Sequence, residues 1–335
     1  MTSPRLQSES PKEDWANSPD PRRWRALALC LTATFVTVLD ISLAIIAVPS
    51  IGTSTGAGPA QLQWVISGYA LTFGLVPILA GRLGDDLGRK RLLITGTIGF
   101  VATSTLVGFA PSIEVLIAAR FLQGAFGGVI GPQVLGLVQQ MFPVHERGKA
   151  FSLVGVATGA GTASGPMIGG AIMALGGPQY GWRLAFLSYV PVGLVSIILC
   201  ALWLPKDRRD GSRMKFDAVG ILLMVLAMLG ILFPAVQFNA GHDGSLLLVL
   251  VPAVAFAVAF YLWEAGPARR MGFAFVDTQL FRLRSFLTGI GIAMLYFGGY
   301  LGVPLLLTLY LQHGVGFSPL AAGLTAGSFA LGVAV

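Results

Sequence analysis

Two residues of opposite charge stand deep in apolar surroundings: Asp40 in "LDISLAIIAVP" and Arg120 in "RFLQGAFGG". A carboxylate takes up and releases protons, whereas a guanidinium stays charged, so the first can be switched and the second can respond. An arginine inside an apolar span costs about 2.5 to 3.5 kcal/mol on insertion scales, which calls for a polar cavity and a partner. Asp40 lies ten residues before Ser50, about 15 Å along a helix. Arg120 lies seven residues after Ile113, about 10 Å along a span running the other way. The two charges are therefore expected at similar depth, facing one cavity, as a direct pair or through Gln123 or water. Protonating Asp40 would weaken that pairing and give a two-state element that a proton can bias. A structural ion pair that only fixes helix packing is the alternative.

The elements that must carry these residues are helices in a membrane. Of 335 residues, 55% are hydrophobic and 11% charged, with a mean hydropathy of +0.77, too apolar for a domain that must cover itself with polar surface. Ten apolar runs are long enough to cross about 30 Å of hydrocarbon: 25-50, 61-81, 92-110, 113-140, 149-175, 184-204, 217-238, 246-264, 285-311 and 319-335. Residues 1-24 read as a disordered cytoplasmic tail, without the apolar core of a cleaved signal peptide. A six-helix bundle is expected over 25-204, a cytoplasmic linker with two extra helices over 205-264, and the first two helices of a second bundle over 265-335.

The net charge of +7 does not point to nucleic acid, because the basic residues occupy alternate loops. Arg22, Arg23 and Arg25 precede the first span; Arg82, Arg89, Lys90 and Arg91 follow the second; Arg147 and Lys149 follow the fourth. By the positive-inside rule the N-terminus is cytoplasmic. Cys30 and Cys200 form no metal framework, and His145, His242 and His313 read as loop residues, so no cofactor is expected beyond a proton as coupling ion. No nucleophile and base pair stands out, which argues against an enzyme. A weak internal echo links "GPAQLQWVISGYALTFG" from Gly58 with "GFSPLAAGLTAGSFALG" from Gly316, as in transporters built from repeats.

The segment "GRLGDDLGRKR" carries Gly81, Asp85, Gly88, Arg89, Lys90 and Arg91 in a loop where glycines permit a sharp turn and the basic cluster stays cytoplasmic. The segment "GTASGPMIGG" sets Gly161, Gly165 and Gly169 on one helical face, beside Pro166 and Gly170. A face without side chains admits close approach of another helix, and Ala322, Ala326 and Ala330 of the tenth run supply a candidate partner stripe. Pro166 is expected to bend its helix.

With Arg120 and Gln123, these segments resemble the major facilitator superfamily, and specifically its fourteen-helix drug:proton antiporter branch. The resemblance runs from about Arg25 to the end of the chain. It implies an all-α, polytopic membrane protein with about 10 of 14 expected helices present. It also implies proton-coupled efflux of small hydrophobic or cationic compounds by alternating access, in a bacterial plasma membrane. Asp85 would act as a latch against a helix N-terminus in the other half. The glycine segment would seal the outer side between halves; a plain small-residue contact is the alternative. Ser42 and Ile45 stand where threonine and asparagine are usual in relatives, and Asp86 where a basic residue is often found.

Phe35, Tyr69, Tyr296 and Tyr300 are candidates for lining a pocket for flat apolar or cationic substrates. The expected partners are a small-molecule substrate and the lipid bilayer, with a monomer as the expected unit. The competing reading is a truncated, non-transporting bundle, because the sequence stops at Val335 while still apolar.

Overall fold

Residues 22–205, 207, 217–237, 246–268, 270, 278–317 and 325 are described in the computed structural model of the protein. Helix begins at Arg23, inside the expected N-terminal tail. Residues 1–21 of that tail, most of the linker after the sixth span, the loop "NAGHDGS" and the tenth span apart from Thr325 lie outside the described residues. The Ala322, Ala326 and Ala330 stripe lies there too.

Among the described residues nine α-helices follow in order: α1 (Arg23–Thr55), α2 (Pro59–Leu87), α3 (Arg89–Gly108), α4 (Ile113–Met141), α5 (Val144–Leu187, kinked at Gly177), α6 (Tyr189–Trp203), α7 (Ala218–Gln237), α8 (Leu246–Trp263) and α9 (Arg284–Leu309). They are apolar all round, as a chain must be when its backbone bonds are satisfied inside each helix and lipid covers the outside. Six described helical segments have the length and composition to cross a membrane: Arg23–Thr55, Pro59–Leu87, Arg89–Gly108, Ile113–Met141, Gln179–Trp203 and Leu250–Ala268. The protein is thus a multi-pass, all-α membrane protein.

Boundaries follow local chemistry. Gly56 closes α1 in the left-handed region (φ 70°), and Pro59 opens α2 at a position where its missing N–H is not needed. Ser112 caps α4 by accepting from the Val115 N–H at 3.4 Å. The fifth and sixth spans divide in the gap that the sequence leaves between 175 and 184, and the membrane-length segment after the break is Gln179–Trp203. Helix continues through 161–170, so the chain is not interrupted at Pro166; the non-helical residue is Gly177, at φ 70° and ψ 179°. Only an achiral residue takes that backbone without strain.

Two helix pairs form the frame of the site. α1 packs along α5, and α2 packs along α4. α3 joins α4 to α6, and α7 pairs with α8. Both framing pairs rely on glycine. A Cβ at Gly124 of α4 would collide with the Tyr69 carbonyl of α2, and one at Gly128 would lie 3.0 Å from the Phe73 carbonyl.

Candidate functional site: a buried ion pair between α1 and α4

Asp40 of α1 and Arg120 of α4 are in direct contact. Arg120 Nη1 donates to Asp40 Oδ2 at 2.6 Å, and the two residues are 0% and 1% exposed. Gln123, one turn further along α4, accepts from Arg120 Nη1 at 2.7 Å and donates through Nε2 to Asp40 Oδ1 at 3.2 Å. The same Nε2 donates to Ser104 Oγ of α3 at 2.8 Å, and Ser104 donates to the Phe100 carbonyl at 2.8 Å. Arg120 Nε donates to the Val65 carbonyl of α2 at 3.1 Å. Both carboxylate oxygens are engaged, and the guanidinium is held on two edges. Such saturation is what allows a buried pair to persist, since desolvating two ions costs several kcal/mol each before any contact is made.

The faces of the guanidinium are covered as well. Its carbon lies 4.3 Å from the Tyr69 ring centroid and 5.3 Å from that of Phe186. Tyr69 is anchored in turn, donating to the Thr37 carbonyl of α1 at 3.2 Å and stacking on Phe73 at 5.4 Å. The ring quadrupole attracts the cation most strongly where water is excluded. One expectation is corrected here. The two charges form a direct pair with Gln123 beside it, but they are sealed among packed side chains and do not face an open cavity in this conformation.

Among the described residues, the glycine segment meets α1. Gly161, Gly165 and Gly169 pack α5 against α1 within the same bundle. A Cβ at Gly161 would lie 2.9 Å from the Phe35 carbonyl, and one at Gly169 would lie 3.0 Å from Leu43 Cγ. At Gly165 it would collide with Ser42 Cβ. The glycine face thus brackets the turn of α1 that carries Asp40. Gly170 is off that face, with nothing within 4 Å of the position of a Cβ.

The basic loop is shorter than the sequence implied. Gly81 lies inside α2, and the turn is made at Gly88, at φ 102°. Asp85 pairs with Arg89 at 2.5 Å, and Arg89 reaches the Pro132 carbonyl of α4 at 3.2 Å. Lys90 Nζ donates to the Ala201 and Leu204 carbonyls at the end of α6, at 2.8 and 2.7 Å. Asp207 answers by accepting from the Lys90 and Arg91 backbone N–H groups, at 2.8 and 3.1 Å, where the first turn of α3 favours an anion. Arg91 itself is exposed.

Of the aromatic candidates, Phe35 is half-buried against the core and Tyr69 belongs to the charge site. Tyr296 is 54% exposed on α9. The Tyr300 side chain lies outside the described residues. Sequence reasoning missed Ser104, Phe186 and Tyr189. Ser104 had a signal available: Thr97 and Ser104, both buried, are seven residues apart and mark one polar stripe of α3.

A family model for the Major Facilitator Superfamily matches residues 30–335. The chain belongs to that superfamily. This major facilitator protein is 37% identical over 308 residues to the probable actinorhodin transporter of Streptomyces coelicolor, across 92% of its own length and 53% of that protein. It is 35% identical over 319 residues to the puromycin resistance protein pur8 of Streptomyces alboniger, covering 95% of this chain and 62% of that one. To the multidrug efflux pump LfrA of Mycolicibacterium smegmatis it is 33% identical over 306 residues, covering 90% and 59%. The chain therefore spans between one half and two thirds of the length of these relatives. Among solved structures it resembles the proton:xylose symporter XylE, with a TM-score of 0.60 at 14% identity over 94% of this chain and 69% of that one. That likeness speaks for the fold alone. The superfamily consists of transporters, not enzymes.

Proposed function

We propose that this chain belongs to a proton-coupled exporter of small hydrophobic or cationic compounds, working by alternating access in a bacterial plasma membrane. The observation that carries this reading is the buried contact of Asp40 with Arg120 at 2.6 Å. A carboxylate so placed has two stable conditions. Ionised, it neutralises Arg120 and accepts from Gln123. Protonated, it no longer balances the guanidinium, which keeps the Val65 carbonyl, the Gln123 oxygen and the Tyr69 face but lacks a counter-charge. An uncompensated buried charge costs about 3 to 5 kcal/mol, enough to favour a rearrangement that readmits water. A proton arriving from one side and leaving to the other can in this way drive the bundle between two states.

The relatives named for transport, resistance and efflux support export as the direction. A cytoplasmic N-terminus follows from the positive-inside rule, and the basic residues Arg23, Arg89, Lys90 and Arg147 occupy helix ends consistent with it. On this reading the glycine face sets the outer seal, and Asp85 serves as a latch toward the other half. Complete burial of Asp40 favours a second reading, in which the pair only fixes helix packing. Asp40→Asn separates the two. The coupling reading expects proton-driven efflux of a fluorescent lipophilic cation from cells to be abolished while the protein remains inserted at normal abundance. Undiminished efflux from that variant would overturn it.

A further inference from the structure

Tyr189 opens α6 and is 1% exposed, yet its hydroxyl has no hydrogen-bond partner among the described residues. The other polar groups of the site are engaged. Tyr69 donates to Thr37, Ser104 links Gln123 to the Phe100 carbonyl, and Gln123 uses both ends of its amide. Tyr189 belongs to the same chamber. Its ring lies 6.1 Å from that of Phe100 and 6.4 Å from that of Phe186, and Phe186 covers one face of Arg120. The charges of Asp40 and Arg120 both act on it. A buried hydroxyl left unpaired costs free energy that a phenylalanine of nearly the same shape would not incur. The hydroxyl therefore has a use in another condition of the site.

Asp40 supplies that condition. Here each of its oxygens holds one partner, Oδ2 Arg120 and Oδ1 Gln123, and neither accepts from Tyr189. Once protonated it loses its hold on Arg120, and the oxygen that Arg120 leaves is open to another donor as the carbonyl of the neutral carboxyl. We propose that Tyr189 is a positioning residue for proton binding at Asp40, its hydroxyl donating to the carbonyl oxygen of the protonated carboxyl after Arg120 lets go. No bond is made or broken beyond the arrival of the proton on Asp40. This inference rests on the proton-coupled reading above. The titratable and charged groups whose charge acts on Tyr189 are Asp40 of α1, Arg120 of α4 and Tyr69 of α2, and its ring packs beside those of Phe100 and Phe186.

The test is difference infrared spectroscopy of the full-length protein in lipid, between acid and alkaline buffer, on wild type, Asp40→Asn and Tyr189→Phe. Wild type is expected to show a protonated-carboxyl band that Asp40→Asn removes. In Tyr189→Phe that band should move to higher frequency, because its carbonyl has lost a donor. Its titration midpoint should fall by about one pH unit, because the protonated form is no longer favoured. A band unchanged in frequency and midpoint in Tyr189→Phe overturns the role of Tyr189 and leaves the coupling reading standing. If wild type has no titrating band that Asp40→Asn removes, the coupling reading fails and this inference fails with it.

Discussion

Gly165 of α5 lies directly over Ser42 of α1, two residues beyond Asp40, so closely that a single added methyl group would strike the serine Cβ. The contact continues to the backbone, with the Leu39 carbonyl 3.3 Å and the Leu43 nitrogen 3.4 Å from where that methyl would sit. Backbone cannot yield as a flexible side chain can. The position of the acid is thereby tied to the glycine face of the neighbouring helix.

Gly165→Ala is accordingly expected to push α5 from α1 and destabilise the protein by about 1 to 3 kcal/mol, the usual cost of overpacking. Gly170→Ala, whose added methyl would meet open space, is the control and should change little. Thermal melting of the two variants in one detergent decides the matter; equal melting points would remove the close approach as a structural determinant.

Removing one member of the ion pair should harm more than removing both. Arg120→Gln leaves Asp40 buried without its cation and is expected to cost about 3 to 5 kcal/mol. In the double variant Arg120→Gln with Asp40→Asn, a good part of that stability should return, because no unpaired charge remains. A double-mutant cycle on melting temperature measures the coupling, and additive effects would contradict it.

At the start of α1, Arg23 Nε and Nη2 donate to the two carboxylate oxygens of Glu146, each at 3.0 Å. The hydrogen bond from Arg23 holds the Glu146 carboxyl below its ordinary value. A carboxylate lowered in the folded state lends stability that is present above its unfolded value and is lost as pH falls through the lowered one. Wild type should therefore exceed Glu146→Gln by a small, salt-sensitive margin at neutral pH, and the margin should vanish in acid. Melting curves across acid and neutral buffers would show it, and a margin that grows in acid would contradict the sign.

Much of the architecture was legible because its causes are local. Apolar run length located the described helices, with ends that miss by up to about six residues where a helix runs on past its apolar stretch, as α1 and α2 do, and rise per residue put Asp40 and Arg120 at matching depth. What could not be read was which neighbour a given face meets. Periodicity places Gly161, Gly165 and Gly169 on one side of a helix, but any face of small residues would fit them. Among the described residues, the partner of that face is α1. Nor does spacing reveal that Lys90 satisfies carbonyls at the end of α6 while Asp207, just beyond it, accepts from the first turn of α3. Tyr189 gave no signal at all, since an aromatic residue in an apolar run is unremarkable until its hydroxyl is seen without company.

The two glycine-packed pairs, α1 with α5 and α2 with α4, behave as stiff planks laid side by side. Asp40 belongs to one plank and Arg120 to the other, so their contact works as a rivet across the joint. On the proposed reading, a proton on Asp40 would draw that rivet and free one plank to slip along its neighbour, with Tyr69, whose hydroxyl spans the same joint to Thr37, as a further pin.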